Sequence, residues 1–286
     1  MSNGQKLKQR LAQAEILVIP GIYDALSALL AEQAGMEALF LSGSAMSYSQ
    51  LGRPDIGLVT MSEMVDACAR ITDRVEIPVL VDVDSGFGNA AHAGRTIRAL
   101  EKAGAAAVQI EDQLPINPVN DLKGRPLVSP KVMADKIKAM ADDRKNTNTL
   151  ISARSDAPAS EPLDKVIERV TLYGEAGADI LFAEGLTKEV EVREIIKASD
   201  GVPVLFNLLR GDTELKSASQ LEDLGVSIAL FPGNGILSVG RALQDAFADL
   251  KSDPALKAEG FPISGKDFNG LLGTPEILAR FKDHLS

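Results

Sequence analysis

Two aspartates near the end of one apolar segment are the side chains best suited to chemistry. The segment 78–86 reads PVLVDVDSG, and its carboxylates belong to Asp82 and Asp84. Residues two apart on an extended strand project to the same face, so the two carboxylates are predicted to lie side by side. Like charges this close repel each other in a partly dehydrated site, and a divalent cation removes that repulsion. Carboxylate oxygens suit Mg²⁺, which prefers octahedral geometry and retains waters.

Further polar residues follow other apolar segments. Glu111 follows AVQI, and Arg154 follows TLISA. Glu111 would add a third carboxylate to a metal site, and the planar donor fork of Arg154 suits a carboxylate or phosphonate of a substrate. The other polar or small residues that follow apolar segments are Ser42, Gly43, Ser44, Asp112, Asp156, Glu184 and Asn207. If these residues share one edge of the fold, they predict a Mg²⁺ site with substrate-binding groups beside it.

Eight apolar segments alternate with amphipathic ones and determine where the polar residues lie. The predicted strands are 17–21, 38–43, 78–86, 107–112, 149–156, 179–185, 202–208 and 226–233. Between them, apolar residues spaced by three and four predict helices. This order favours a (β/α)₈ TIM barrel over a doubly wound Rossmann-like sheet, because no strand is followed by G-x-G-x-x-G. The carboxyl-terminal strand ends of a barrel form one rim, so the polar residues are predicted to meet there.

The last part of the chain continues beyond the eighth predicted strand. We expect a single barrel domain over 1–286, in which 255–286 form a C-terminal helical tail. The last helix is predicted to begin at about Pro275, with Thr274 as its N-cap.

Several of the polar residues also have a structural interpretation. A carboxylate at a strand end is often a helix N-cap or the partner of a surface lysine, and Asp24 and Asp112 are candidates for such roles. Arg154 could form a structural ion pair with Glu184 or Asp156.

Composition excludes several classes of function. The 286 residues are 45% hydrophobic and carry a formal net charge of −10, which argues against nucleic acid and anionic membrane surfaces as partners. The one cysteine, Cys68, excludes an intrachain disulfide and a cysteine-based zinc cluster, and its position within a helical pattern predicts core packing. His92 is predicted to be a solvated surface residue at a helix start. We expect a cytoplasmic protein that binds a small molecule.

Several motifs, in this order, resemble the isocitrate lyase and phosphoenolpyruvate mutase superfamily. They are ILVIPGIYDALSALLAEQAG, LSGSAMSYSQLGRPDIGLVTMSEM, VDVDSGFGN, the IED strand end, ISARSDA and LFAEG. The resemblance implies a (β/α)₈ barrel and Mg²⁺ as cofactor, with Mn²⁺ as an alternative ion. It also implies substrates that are small 2-oxo or 2-hydroxy carboxylates. Members of the superfamily typically form tetramers by exchanging a C-terminal helix, so a homotetramer, or a dimer, is expected.

Matched by position, the resemblance also implies roles for residues. Asp84 would bind Mg²⁺ directly, while Asp82 and Glu111 would act through its waters, with Asp55 beside that water shell. Asp55, Glu111 and Arg154 are the expected catalytic residues, and Arg154 would also clamp the substrate. The other substrate-binding residues that the resemblance implies are Ser42, Gly43, Ser44, Glu184, Asn207 and Asn234.

The segment after the fourth predicted strand departs from the superfamily. Isocitrate and methylisocitrate lyases carry Lys-Arg-Cys-Gly-His there, and its cysteine is their catalytic acid, whereas residues 111–127 here read EDQLPINPVNDLKGRPL. Gln113 stands where the phosphonopyruvate branch usually has lysine, although Asn117 and Asn120 are present. Decarboxylation of oxaloacetate needs no strong acid from this loop and is therefore the first expectation. Tyr23 or a metal-bound water would then deliver the proton to C3.

Three alternatives remain open at this point. One is a carbon–carbon lyase of the substituted malate or methylisocitrate type that uses a different acid. Another is carbon–phosphorus chemistry similar to that of phosphonopyruvate hydrolase or mutase. The third is a catalytically silent protein that binds a dicarboxylate.

Overall fold

Eight parallel strands close into a barrel in the order in which they occur along the chain. The computed structural model describes residues 1–114, 125–209, 211, 213–255 and 262–282. The strands are β1 (Leu17–Ile22), β2 (Leu39–Leu41), β3 (Val79–Asp82), β4 (Ala107–Glu111), β5 (Leu150–Ser155), β6 (Ile180–Ala183), β7 (Val204–Asn207) and β8 (Ile228–Phe231). The predicted (β/α)₈ barrel is confirmed, and the doubly wound alternative is wrong because β8 pairs with β1.

One helix precedes the first strand, and the others connect the strands or follow the last of them. They are α1 (Asn3–Leu11), α2 (Ala25–Gln33), α3 (Gly43–Met46), α4 (Met61–Arg74), α5 (Ala90–Lys102), α6 (Pro130–Asp143), α7 (Leu163–Glu175), α8 (Glu189–Ala198), α9 (Ala218–Leu224), α10 (Asn234–Ser252), α11 (Gly265–Leu271) and α12 (Thr274–Phe281). A short π-helical segment, Ser47–Leu51, directly follows α3. Among the described residues, no helix is both long and apolar enough to cross a membrane.

Alternating side chains of the strands form two layers of core. In β3, Val79 and Val81 belong to the cluster shared with the surrounding helices, whereas Leu80 belongs to a second cluster with members from all eight strands. That second cluster fills the barrel interior. Leu7 of α1 joins it, and α1 packs so closely that a Cβ on Gly4 would lie 2.0 Å from the Asn148 carbonyl oxygen. The first helix therefore covers the amino-terminal end of the barrel.

The chain divides into two compact units, Met1–Leu237 and Ser238–Ser286. In the second unit, α12 confirms the predicted last helix, but its N-cap is Gly273 rather than Thr274. Gly273 has a φ of +81°, a conformation that glycine adopts without strain. The tail boundary at 255 and the exchange of a helix between subunits stay predictions.

Candidate active site

The carboxyl-terminal ends of the strands surround a cavity with two adjoining lobes. The outer lobe, of about 390 Å³, has Asp84 and Glu111 in its wall together with apolar residues of the segment 56–61. The inner lobe, of about 270 Å³, reaches Gln109 inside the barrel. The residues that line both lobes are Asp55, Asp82, Arg125 and Arg154. The two lobes are therefore parts of one site at the predicted rim.

Asp82 and Asp84 lie together, as expected, but they are not two alternate residues of one extended strand. The strand β3 ends at Asp82, and Asp84 has a φ of +46°, which is uncommon for a residue other than glycine. The resulting turn lets the Asp84 N–H donate to Oδ1 of Asp82 at 3.3 Å. The backbone oxygen of Asp84 in turn accepts from the Glu111 N–H at 2.9 Å. A residue in this sparsely populated conformation is typical of functional sites, and here it places three carboxylate residues side by side.

Gly43 keeps the space beside both aspartates free. Its N–H donates to Oδ2 of Asp82 at 3.3 Å. A Cβ at this position would lie 3.2 Å from Oδ2 of Asp82 and 3.4 Å from Oδ1 of Asp84. A side chain here would therefore crowd the two carboxylates and occupy the room that a ligand of those oxygens needs.

Burial shifts the pKa values of four carboxylates of the site in the same direction. Loss of solvent raises the pKa of Asp82, Asp84, Glu111 and Asp55, and the proximity of the negative charges raises the pKa of Asp84 further. Arg154 only partly opposes these shifts. When these side chains are ionised, the positive charge around them is therefore too small to balance their negative charge, and a bound cation would supply the rest.

These residues fit a hydrated divalent cation better than a bare one. Among the described residues, no three His, Cys, Asp or Glu side chains are grouped so that they alone could hold a metal ion. Mg²⁺ usually keeps several waters and uses only one or two carboxylates directly. The oxygen donors and the space at Gly43 are consistent with the predicted arrangement, in which Asp84 binds directly and Asp82 and Glu111 bind through water.

Arg154 is held by a ring of carboxylates. Its Nε lies 2.7 Å from Oδ1 of Asp156 and 3.4 Å from Oε2 of Glu111, and one terminal nitrogen lies 3.9 Å from Oε2 of Glu184. The guanidinium also stacks 5.4 Å from the ring centroid of Phe182. Asn207 donates to Oε2 of Glu184 at 3.0 Å and so extends this network. The alternative of a structural ion pair with Asp156 or Glu184 is therefore confirmed, and the guanidinium still lines both lobes.

The Ser-Gly-Ser segment forms the wall next to the aspartates. Ser42 is buried and N-caps α3 by accepting from the Ala45 N–H at 3.3 Å. Its hydroxyl lies 2.9 Å from that of Ser44, and both residues line the inner lobe. The structure thus brings Ser42, Gly43 and Ser44 to the site, as it does Glu184 and Asn207.

Two predicted residues do not reach either lobe. Tyr23 lines a separate cavity of about 90 Å³ beside Met46 and Arg70. Asn234 is exposed at the start of α10 and is absent from the walls of both lobes within the described part of the chain. The tyrosine that does line the inner lobe is Tyr48, which sequence analysis missed. Its position in SGSAMSYSQ, shortly after the Ser-Gly-Ser segment, was the available signal.

Arg125 is the second residue that sequence analysis missed. Gln113 replaces the lysine of the phosphonopyruvate branch, but the structure places a different basic residue, Arg125, in the wall of both lobes. The chain returns to the barrel at this point, where Leu127 forms a bridge with Gln113. Its available signal was the GRP sequence at the end of the loop. Asn117 and Asn120 lie outside the described residues.

The other two carboxylates with a predicted structural role, Asp24 and Asp112, differ from each other. Asp24 is the N-cap of α2, as predicted, and accepts from the Ser27 N–H at 2.7 Å. Asp112 is neither an N-cap nor a surface partner, because it is fully buried and accepts from the hydroxyl groups of Ser155 and Tyr173, each at 2.7 Å.

Cys68 and His92 have the roles that the sequence predicts. Cys68 is fully buried in the core, and burial raises the pKa of its thiol to about 12. His92 is exposed near the start of α5, with Nδ1 2.9 Å from the side-chain oxygen of Asn89. Neither residue lines the two lobes in the part of the chain that the structure describes.

Comparisons with known proteins agree with this geometry. The family model for phosphoenolpyruvate phosphomutase matches residues 7–251. Over 278 residues the chain is 36% identical to 2,3-dimethylmalate lyase of Eubacterium barkeri, with 97% of this chain and 96% of that protein covered. Over 230 residues it is 44% identical to 2-methylisocitrate lyase of Aeropyrum pernix, with 80% of this chain and 73% of that protein covered.

A solved structure provides a further similarity. Phosphonopyruvate hydrolase in complex with oxalate and Mg²⁺ is 26% identical, and it matches this chain with a TM-score of 0.88 over 100% of both chains. Together, these similarities confirm the superfamily that the sequence motifs indicated.

Proposed function

Because the chain belongs to the phosphoenolpyruvate phosphomutase family, we propose that it is a divalent-metal-dependent lyase that breaks a carbon–carbon bond in a small dicarboxylate. The observation that carries this proposal is the group of buried carboxylates beside Gly43, whose raised pKa values indicate a shortage of positive charge. We further propose an alkyl-substituted malate as the preferred substrate class, with oxaloacetate, the first expectation from the sequence, as the second candidate.

The apolar wall of the outer lobe supports an alkyl-substituted substrate. Ile56, Leu58, Val59, Met61 and Phe87 line this lobe close to Asp84. Such a wall favours alkyl groups next to the polar end of a substrate, because it removes their apolar surface from water. Oxaloacetate has no alkyl group to place there. The similarity to 2,3-dimethylmalate lyase over 97% of the chain points to the same class of substrate.

The proposed metal site determines how the substrate lies. Asp84 would hold the ion directly, and Asp82 and Glu111 would hold it through water. Mg²⁺, or Mn²⁺ in its place, would supply positive charge next to the 2-hydroxyl oxygen of an alkylmalate, or next to the oxo oxygen of oxaloacetate. The hydroxyl groups of Ser42 and Ser44 would orient the adjacent carboxylate.

The chain's own residues would then transfer the protons. In a 2,3-dialkylmalate, Asp55 accepts the proton of the 2-hydroxyl group, and the C2–C3 bond breaks as the C2–O bond becomes a carbonyl. The electron pair of the broken bond passes to C3 and its carboxylate, and C3 then takes a proton. Burial raises the pKa of Asp55, which makes its carboxylate a stronger base for the first transfer. Cleavage of 2,3-dimethylmalate in this way gives pyruvate and propanoate.

Tyr48 is the proposed donor of the proton to C3, in place of Tyr23. It lines the inner lobe, and burial together with the nearby Asp55 charge raises its pKa, so the phenol stays protonated at neutral pH. Tyr23 lies in another cavity and has no access to either lobe in the described structure. The same phenol would protonate C3 of the pyruvate enolate if oxaloacetate were decarboxylated.

One specific observation keeps oxaloacetate decarboxylation as the second candidate. The segment 111–127 contains no cysteine, whereas isocitrate and methylisocitrate lyases have a cysteine in this loop as their catalytic acid. In this reaction the C3–C4 bond breaks, CO₂ leaves, and the electron pair forms the enolate of pyruvate. The step needs positive charge at the oxo group rather than an acid at the leaving carboxylate.

A substrate panel with product analysis tests the proposal. We would incubate the protein and Mg²⁺ with 2,3-dimethylmalate, 2-methylisocitrate, oxaloacetate and phosphonopyruvate, with and without a chelator. Equal amounts of pyruvate and propanoate from 2,3-dimethylmalate, abolished by the chelator, are expected. Pyruvate and CO₂ from oxaloacetate alone, faster than the background decay with Mg²⁺, would establish the second candidate instead. Turnover of phosphonopyruvate alone, or of none of the four acids, would refute both.

The oligomeric state is a further proposal. Leu243, Phe247 and Leu250 recur at spacings of four and three on α10, and each is about half exposed or more. Such an apolar stripe supports association of copies of this chain into a homotetramer or dimer. The expected localisation in the cytoplasm likewise stays a proposal.

A further inference from the structure

Arg125 lies in the site with part of its hydrogen-bonding capacity unused. Its side chain is only 11% exposed, and it lines both lobes. One terminal nitrogen lies 3.5 Å from Oδ2 of Asp156, which is a loose contact for an ion pair. Its Nε is buried and has no hydrogen-bond partner among the described residues. A buried donor of this kind is costly unless a ligand or water completes it.

The second guanidinium of the site differs in this respect. The Nε of Arg154 is 2.7 Å from Asp156, and its contacts with Glu111 and Glu184 add further negative charge around it. Arg154 is therefore largely neutralised by the protein itself. Arg125 has one carboxylate contact, at 3.5 Å, so of these two arginines it keeps more of its positive charge for an incoming anion at the wall of the lobes.

The charges of the site indicate which part of a substrate Arg125 meets. A cation beside Asp82 and Asp84 would hold the 2-hydroxy or 2-oxo group and the carboxylate next to it. The second carboxylate of a dicarboxylate then needs a positive partner, because Asp55 and Glu184 also line the inner lobe. A guanidinium matches a carboxylate with two parallel N–H donors.

We propose that Arg125 binds the substrate carboxylate that is remote from the metal and stabilises the charge that develops on it. This inference rests on the proposed function. When the C2–C3 bond of an alkylmalate breaks, the electron pair flows from C3 into that carboxylate, which becomes an enediolate until C3 is protonated. The interaction with Arg125 is stronger in this state than with the substrate, and it therefore contributes to the rate.

The same contact would favour the lyase reaction over decarboxylation. In oxaloacetate the remote carboxylate is the group that leaves as CO₂ and loses its charge. A guanidinium bound to it stabilises the substrate more than the transition state, and so slows that reaction. Arg125 is thus assigned as a residue that determines which bond breaks.

Binding measurements with two probes test this assignment. Oxalate reaches only the metal end of the site, whereas malate also presents a remote carboxylate. With Mg²⁺ present, Arg125→Met should weaken malate binding by ~10- to 100-fold and change oxalate binding by less than ~3-fold. Arg125→Lys should recover part of the malate affinity because it restores the charge without the planar fork. Arg98→Met, on the exposed face of α5, is the matched control and should bind both probes normally.

Steady-state kinetics provide a second test of the role of Arg125. For the alkylmalate that the wild-type protein cleaves, Arg125→Met should lower kcat by a larger factor than it raises KM, because the charge on the remote carboxylate grows in the transition state. Equal losses of oxalate and malate affinity, or unchanged malate affinity, would overturn the role of Arg125 while leaving the proposed function intact. A wild-type protein that binds neither probe would overturn the proposed function and this inference with it.

Discussion

Replacement of Gly43 by alanine should separate activity from stability. The added Cβ would lie 3.2 Å from Oδ2 of Asp82 and 3.4 Å from Oδ1 of Asp84. The first separation is tighter than nearly all real Cβ contacts, so the Asp82 carboxylate must move by a few tenths of an ångström, and the second leaves no spare room beside Asp84. The methyl group would also occupy space that a hydrated cation and the substrate need. Because small misplacements in an active site are costly, kcat/KM should fall by ~10- to 100-fold.

The folded state should tolerate the same change. Gly43 is the first residue of α3, and its φ is not in the left-handed region that favours glycine. Alanine is a better helix former than glycine by about 1 kcal/mol, which offsets the crowding of the carboxylates. The free energy of unfolding should therefore change by less than about 1 kcal/mol.

The assay compares Gly43→Ala with Gly240→Ala. It measures Mg²⁺ affinity by calorimetry, activity by steady-state turnover, and the free energy of unfolding by urea titration. Gly240 also lies in a helix, and a Cβ there would meet nothing within 4 Å. The control should keep both metal affinity and turnover. If Gly43→Ala binds Mg²⁺ and turns over substrate as the wild type does, the space beside the aspartates has no role in the site. If it loses activity only in proportion to a loss of folded protein, crowding of the carboxylates is not the cause of the loss.

Three further predictions follow from the geometry of the site. Burial raises the pKa of Asp82, Asp84 and Glu111, so their ionisation destabilises the metal-free fold as pH rises. Because Mg²⁺ binds the ionised carboxylates, the increase in Tm that it causes should be larger at about pH 8 than at about pH 6. An equal increase at both pH values would contradict the shared role of these groups. In steady-state turnover, Tyr48→Phe should lower kcat by ~10²- to 10⁴-fold, whereas Tyr23→Phe should lower it by less than ~3-fold. The opposite order of effects would show that Tyr23 is the proton donor. Cys68 is buried in the core, so Cys68→Ser should reduce the free energy of unfolding by about 1–2 kcal/mol and leave kcat unchanged. A large loss of kcat at unaltered Tm would show that the buried thiol takes part in the reaction.

The sequence predicted the eight strands well because each is a short apolar run between helical patterns. It also predicted the residues that follow them, since Ser42, Glu111, Glu184 and Asn207 lie within one residue of a strand end. Barrel topology alone then brings these residues to one rim. The position of Asp84 beside Asp82 was predicted for a reason that does not hold, because β3 ends before Asp84 and a turn positions its carboxylate.

The sequence could not show which loop residues return to the site. Tyr23 and Tyr48 both follow strands by a short interval, and only the helical path after β2 brings Tyr48 into the inner lobe. Arg125 lies beyond the loop that follows β4, far along the chain from the residues it faces. Short-range patterns describe strands and helices, whereas the end point of a long loop depends on tertiary packing.

Calorimetric titration of Mg²⁺ into the wild-type protein and into Asp84→Asn tests the central claim most directly. Asparagine keeps the size of the side chain and removes the charge, so both proteins should be folded. The wild type should bind one Mg²⁺, and Asp84→Asn should show at least ~100-fold weaker binding together with loss of turnover. Full turnover by the wild type in excess chelator, or unchanged Mg²⁺ binding and turnover by Asp84→Asn, would contradict a metal-dependent lyase built on these carboxylates.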